Sequence, residues 1–301
     1  GELMNRGGLS RRIIEVAMAA FGHLRGGLGY VAICASLIMA SLSGSAIADS
    51  AALAAILIPM MKLGGYPEGS SGGLLAAGGV IAPVIPPSIA LVVFGAIANV
   101  SISGLFMAAI VPGILMAVSL VLAWRFVSRG GAFQTLERKS RAEVLQALWK
   151  ALPALVLPVV VIGGLRVGVF TPTEAAVIAA VYAALVGAFV YGELTLKSFY
   201  EGLVEAGKTS AVVMFLIGTS MVSAWLITIA NLPTQVIAFL QPFMDTPQLL
   251  VGMIVVLTLL LGMVLDFTPL SLILMPIVIP LGKAAGIDLI YFGVVFTSAG
   301  A

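Results

Sequence analysis

Two aspartates stand in apolar surroundings, Asp49 in "SGSAIADSAALAAILIP" and Asp266 in "LGMVLDFTPLSLILMP". Ser43, Gly44 and Ser45 precede the first, and Gly262 and Thr268 flank the second. Hydroxyls, carboxylates and the carbonyls of loose glycine backbone are hard oxygen donors, the set that binds an alkali cation. A lone carboxylate at the middle of a bilayer costs about 2.5 to 3.5 kcal/mol on insertion scales, so it has to face an ion, a cavity or other protein groups. We read Ser43, Gly44, Ser45 and Asp49, with Pro83 and neighbouring backbone, as one sodium site, and Gly262, Asp266 and Thr268 as its mirror. Either aspartate can alternatively cap the helical arm that follows it.

A third stretch, "GGVIAPVIPPSIALVVFG" at residues 78 to 95, carries Pro83, Pro86 and Pro87. Each proline lacks an N–H and clashes with the preceding turn, so one regular helix cannot run through all three. A break leaves free carbonyls on one half-helix and free N–H groups on the other, which suit a cation and an anion respectively. Ser88, directly after the double proline, can offer its hydroxyl and its N–H to an anionic group.

The elements that must position these groups are membrane helices. With 61% hydrophobic residues, 9% charged residues and 34 glycines in 301 positions, no soluble globule has interior enough to hide the apolar surface. The mean hydropathy of +1.18 agrees. Windows of crossing length recur at 103 to 124, 151 to 165, 175 to 192 and 210 to 230. No cleavable signal is visible. The opening "GELMNRGGLSRR" reads as the end of an earlier helix, so both chain ends are expected to be truncated. The single cysteine, Cys34, excludes disulfides within this chain and a cysteine-based metal site. His23, in "GHLRGG", reads as structural or solvated. "SRRIIEVAMAAFGHLR" and "LTLKSFYEGLVEAGK" alternate cationic and apolar faces and are expected to lie in the interface plane. Thr171, Pro172, Thr173 and Glu174 read as a helix start.

Self-similarity organises the rest. From each aspartate the chain repeats Leu at +4, Ile at +7, Leu at +8 and Pro at +10, and neither Asp245 nor Asp288 does so. The apolar arms, roughly 28 to 42, 50 to 62, 248 to 262 and 270 to 281, look short for full crossings and read as two re-entrant hairpins with polar tips. Arg11, Arg12, Arg25 and Lys62, then Arg125, Arg129, Arg138, Lys139, Arg141 and Lys150, mark one side as cytoplasmic. Counting crossings from there places the two hairpin bases on opposite sides, an inverted repeat with its ligand near the midplane. The expected architecture is an all-α polytopic membrane protein with two re-entrant hairpins and proline-broken helices. Its first repeat, 1–127, comprises an interfacial arm, a cytoplasmic-entry hairpin at 28–62, a broken helix at 74–98 and a crossing at 103–127. A cytoplasmic loop, 128–150, leads to the second repeat, 151–301, with crossings within 151–192, an arm at 193–209 and a periplasmic-entry hairpin at 248–282.

Taken together, "GHLRGGLGYV", "SGSAIADSAALAAILIPMMKLGGY", "IAPVIPPSIALVVFGAIANVSISGLF", "FTPTEAAVIAAVYAALVGAFVYGELT" and "LGMVLDFTPLSLILMPIVIPLGKAAGID" resemble the large, DctM-like membrane subunit of tripartite ATP-independent periplasmic (TRAP) transporters. The resemblance covers almost all of residues 1–297. It implies an elevator-type fold, in which a domain holding both hairpins slides against a scaffold driven by sodium, in a multi-pass protein of the bacterial inner membrane. It implies ion sites at residues 43 to 49 and 262 to 269, and a substrate site made by Ser45, Pro86, Pro87, Ser88 and Thr268. It also implies partners: a small four-helix membrane subunit (DctQ-like) and a periplasmic substrate-binding protein (DctP-like) that delivers an organic acid. No organic cofactor and no nucleic acid are expected, sodium being the coupling ion. The family pattern begins about two helices earlier and continues past "YFGVVF" into a second broken helix. One alternative is a single-component sodium/dicarboxylate carrier of related fold. A remoter one is an intramembrane aspartyl protease, whose usual Gly-x-Gly-Asp setting neither "SAIAD" nor "GMVLD" provides.

Overall fold

The computed structural model describes residues 1–130, 133–243, 246–265 and 267–301, and among them every regular element is helical. In chain order the helices are α1 (Glu2–Arg6), α2 (Leu9–Phe21), α3 (Gly27–Ser43), α4 (Ala46–Leu63), α5 (Glu68–Gly79), α6 (Ile89–Ala98) and α7 (Ile102–Val127). They continue with α8 (Arg141–Val167), α9 (Pro172–Leu185), α10 (Leu196–Ile229), α11 (Leu232–Leu240), α12 (Pro247–Gly262), α13 (Phe267–Ala284) and α14 (Leu289–Gly300). Six helical stretches among the described residues are long and apolar enough to cross a membrane, beginning at Ala46, Ile102, Arg141, Pro172, Leu196 and Phe267. Large apolar side chains stay exposed along them, for example Met214, Phe215, Met221 and Trp225 of α10. Water would penalise such a surface and hydrocarbon does not.

The chain forms two units. One comprises Gly1–Ser88 with Ile110–Val204, the other Ile89–Ala109 with Glu205–Ala301. In the first, α2 buries Leu9, Ile13, Ile14 and Ala17 against α3 and α8, a spacing that puts all four on one face. Its outward Arg11 pairs with Glu15 at 3.3 Å. An aromatic clasp closes the foot of α3 and α4. The Trp124 indole donates to the Gly26 carbonyl at 2.9 Å, and Tyr66 stacks on Phe133 at 4.3 Å. Gly29 is the residue that allows this, because a Cβ there would lie 2.0 Å from the Trp124 ring. The segment after α7 is laced across that foot by backbone bonds from Gln134 to Gly64 and from Leu136 to Gly22. Tyr182 and Tyr191 join α9 and the residues after it to α8 by donating to the carbonyls of Pro153 and Lys150.

The second unit is organised by rings. Phe94 of α6, Phe267 of α13 and Phe292 and Phe296 of α14 form a chain of contacts with centroids 6.0 to 6.3 Å apart. Gly293 lies directly under Phe94, where a Cβ would be 2.5 Å from the ring.

Several boundaries differ from the sequence reading. The hairpin arms have 17, 18, 16 and 18 residues, longer than the expected stretches; α4 gains because it begins at Ala46, ahead of Asp49, and α13 because it starts at Phe267 and runs on to Ala284. At 1.5 Å per residue these arms are roughly 24 to 27 Å long, so length alone does not make them half-depth. The polar loop ends at Ser140 rather than 150, since Ser140 and Glu143 form a capping box that starts α8 ten residues early. Ser140→Ala is expected to cost about 1 kcal/mol, read as a lowered unfolding midpoint in detergent. The arm expected at 193–209 and the crossing at 210–230 are one continuous helix, α10, of 34 residues, with no proline inside it to end it. Two helices, α11 and α14, had no counterpart in the sequence reading.

Candidate cation and anion site

The first tip is made by three residues with three different jobs. Ser43 ends α3, Gly44 adopts φ +64, and Ser45 is extended at φ −120 and ψ 110. Glycine reaches the left-handed region without a Cβ penalty, which closes the helix, and serine is among the preferred N-caps. The Ser45 hydroxyl accepts from the Ala48 N–H at 3.4 Å, so the cap of α4 is Ser45 and not Asp49. Asp49 lies a full turn into α4 and is 1% exposed. Ser43 Oγ donates to Asp49 Oδ2 at 2.5 Å and accepts from the Ser45 N–H at 3.1 Å. Asp49 Oδ1 is buried and has no hydrogen-bond partner among the described residues.

A buried carboxylate with one oxygen satisfied and the other bare is costly unless something positive or hydrogen-donating completes it. The surroundings favour a small cation. The last turn of α3 ends in carbonyls that have no helical donor beyond Gly44, while the start of α4 stabilises the ionised Asp49 through the helix dipole. Among the described residues no group of three or more His, Cys, Asp or Glu side chains could hold a metal ion, so the carboxylate-rich cage of a divalent site is not present there. One carboxylate, two hydroxyls and backbone carbonyls fit a monovalent ion.

The proline segment packs onto the same hairpin. α5 stops at Gly79, irregular turns follow, and Pro86–Pro87 is a cis peptide. Ile81, Ala82 and Ile85 are buried together with Ala40 of α3 and Ala117 of α7. The end of α5 approaches α4 and α3 closely, since a Cβ on Gly79 would lie 1.9 Å from Ser50 Oγ and one on Gly78 2.5 Å from Ser36 Oγ. Ser50 donates to the Leu75 carbonyl at 3.4 Å. The Ser88 hydroxyl donates to the Pro83 carbonyl, so two groups expected to serve the anion and the cation separately are joined to each other. Ser88 is 1% exposed.

Of the second tip, Gly262 ends α12 and Thr268 lies in the first turn of α13, where its carbonyl accepts from Ser271 at 2.8 Å. Asp266 lies outside the described residues. Gly262 is near the Gly300 backbone, 3.6 Å from where its Cβ would be, so two glycines bring α12 and α14 together. Thus Ser43, Gly44, Ser45, Asp49, Pro83, Pro86, Pro87 and Ser88 belong to the first unit, and Gly262 and Thr268 to the second.

Sequence reasoning passed over two further polar groups. Ser36 in α3 and Thr297 in α14 are 2% and 0% exposed, and each has a side-chain oxygen with no hydrogen-bond partner among the described residues. Their signal was a small hydroxyl inside an apolar run, "ICASLIM" and "VVFTSAG". Ser45→Ala is expected to cost about 1 kcal/mol of stability through the lost cap. The check is its thermal midpoint without sodium, against Ser41→Ala, whose hydroxyl only returns to the Ile38 carbonyl within α3.

Apolar spans with bare outer faces around buried, broken-helix polar sites define a multi-pass membrane protein. Its family follows from comparison: the pattern of the "Tripartite ATP-independent periplasmic transporter, DctM component" matches residues 1–301. The chain is 50% identical over 296 residues to the 2,3-diketo-L-gulonate TRAP transporter large permease protein of Escherichia coli (strain K12), covering 98% of this chain and 70% of the relative. It is 38% identical to the sialic acid TRAP transporter large permease protein of Vibrio cholerae, covering 98% and 69%. Against the C4-dicarboxylate TRAP transporter large permease protein of Pseudomonas aeruginosa the identity is 36%, over 98% and 69%. The chain belongs to the DctM family of TRAP transporter large permeases.

Proposed function

We propose that this permease couples inward sodium movement to uptake of an organic acid across the bacterial inner membrane. The observation that carries the reading is Asp49, fully buried at a helix break, with one oxygen held by Ser43 and the other without a hydrogen-bond partner among the described residues. Ser43, Gly44, Ser45 and Asp49 would hold the ion, which supplies the positive charge that a buried carboxylate and a nearby anion both require. Gly262, Asp266 and Thr268 would form the second ion site. Substrate carboxylate would meet Ser45 and the Pro86–Ser88 segment of the first unit. The relatives' names, which specify 2,3-diketo-L-gulonate, sialic acid and C4-dicarboxylates, support a carboxylate as the shared feature.

The similar arms on either side of the two tips, 17 and 18 residues against 16 and 18, support reading them as related hairpins. In this proposal they enter from opposite leaflets and move together in an elevator step. A small membrane subunit and a periplasmic binding protein complete the system. The test is reconstitution into vesicles with and without these partners, with an imposed sodium gradient and a panel of organic acids. Uptake that needs both sodium and the binding protein supports the reading. Sodium-driven uptake with the binding protein omitted would select the single-component carrier instead, and uptake indifferent to sodium would end the coupling proposal.

A further inference from the structure

Beside the aromatic clasp lies an unassigned cavity of about 450 Å³, lined by Leu24, Arg25, Tyr30, Val121, Arg125, Ser128 and Arg129. Three guanidinium groups, a phenol and a serine share it, and its lining includes no carboxylate. Arg129 lies over the Phe126 ring at 4.8 Å, and Arg25 donates to the Arg129 carbonyl at 3.0 Å, so two of the three exposed basic groups are tethered to the protein. Neither Arg125 nor Arg129 takes part in any ion pair among the described residues. Another cavity of about 640 Å³ in the same unit makes the contrast, because its Arg11 pairs with Glu15 and its Arg12 with Glu193. Both arginines of that cavity are paired with carboxylates, whereas Arg125 and Arg129 of the other are in no ion pair among the described residues.

The first cavity also has a particular address. It sits at the end of the Ile102–Gly130 span, where a membrane helix meets the headgroup layer. Below it the outer face of α7 exposes Val111, Leu115, Val118, Leu122 and Phe126 at helical spacing, and Arg125 follows on that same face. The stripe runs for roughly 22 Å, more than the ~15 Å of one hydrocarbon leaflet. A free phosphate would use the guanidinium groups and leave the stripe without a role. A lipid uses both.

We propose that this cavity binds the phosphodiester headgroup of an anionic phospholipid, with its acyl chains lying along α7. The proposal is independent of the sodium and acid reading, since it uses no residue of the tip or the proline segment. By the positive-inside distribution the lipid belongs to the cytoplasmic leaflet.

The test is lipid retention by the purified full-length permease complex, titrated with phosphatidylglycerol or phosphatidylcholine and read by native mass spectrometry. Each cation near an anionic lipid is worth roughly a factor of five, so Arg125→Gln with Arg129→Gln is expected to weaken phosphatidylglycerol binding roughly 25-fold. Arg138→Gln with Arg141→Gln, outside the cavity, should leave it unchanged, and millimolar inorganic phosphate should not displace the lipid. Equal retention of the two lipids, equal loss in both double variants, or displacement by inorganic phosphate would each overturn the proposal. If the first double variant fails to assemble, Arg125→Lys should bind within twofold of the native protein while Arg125→Ala loses about fivefold. Equal affinities for those two would overturn it as well.

Discussion

Asp49→Asn is expected to leave the first hairpin folded while abolishing the permease's response to sodium. Asparagine fills nearly the same volume, and its amide oxygen can still accept from Ser43 Oγ, which lies 2.5 Å from Asp49 Oδ2 in the native chain. What it removes is the charge, and with it the reason for a cation to sit beside a buried oxygen that has no hydrogen-bond partner among the described residues. A ligand present at 100 times its Kd stabilises the folded state by about 2.7 kcal/mol, so the native protein should melt measurably higher in saturating sodium than in choline. The Asn variant should give the same melting curve in both salts and no sodium-dependent uptake. Asp49→Ala should behave differently, because it strands the Ser43 hydroxyl inside the protein at a cost of about 1 to 3 kcal/mol, visible without sodium. An Asn variant with an undiminished sodium shift would show that Asp49 serves the packing of the tip alone.

The second large effect is predicted in the other unit. Phe94 is 0% exposed and touches Phe292 and Phe296, while Gly293 gives up its side chain to let the ring in. Phe94→Ala leaves a ring-sized void that backbone glycine cannot fill, and about 3 to 5 kcal/mol of stability should go with it. Phe94→Leu keeps most of the volume and should cost less than about 1.5 kcal/mol. Phe189, 82% exposed, is the control, since its truncation should change stability by no more than about 0.5 kcal/mol. Denaturation midpoints of the three variants in one detergent would decide the order, and equal midpoints for the Phe94 and Phe189 alanine variants would refute the assignment of the ring cluster as a core.

How far residues alone could be read depended on what each signal measures. Composition and apolar run length report transfer from water to hydrocarbon, so the helical, membrane-spanning class was legible. The proline triplet acts locally through missing N–H groups, and the interruption between Gly79 and Ile89 lies where those residues put it. The long motifs were specific enough to name the family that the comparison shows. Three things were not legible. The cap of α4 went to Ser45 because an N-cap is decided by backbone geometry at one residue, which "SGSAIAD" leaves open among three hydroxyl or carboxyl groups. The union of Ser88 with Pro83 across the break depends on how the intervening turns close, and no spacing rule encodes that. Ser36 and Thr297 look like tolerated small residues until the helices packed on them are known.

The shared burial of Ala40 with Ile81, Ala82 and Ile85 has a mechanical corollary. Ala40 is also the residue whose carbonyl receives the Gly44 N–H that closes α3. A protein interior packed to crystal density is nearly incompressible, so the last turn of α3 cannot yield by even a fraction of an ångström without pushing on the turns that lead to the double proline. Whatever tightens the tip is therefore felt one helix away as pressure on the proline segment.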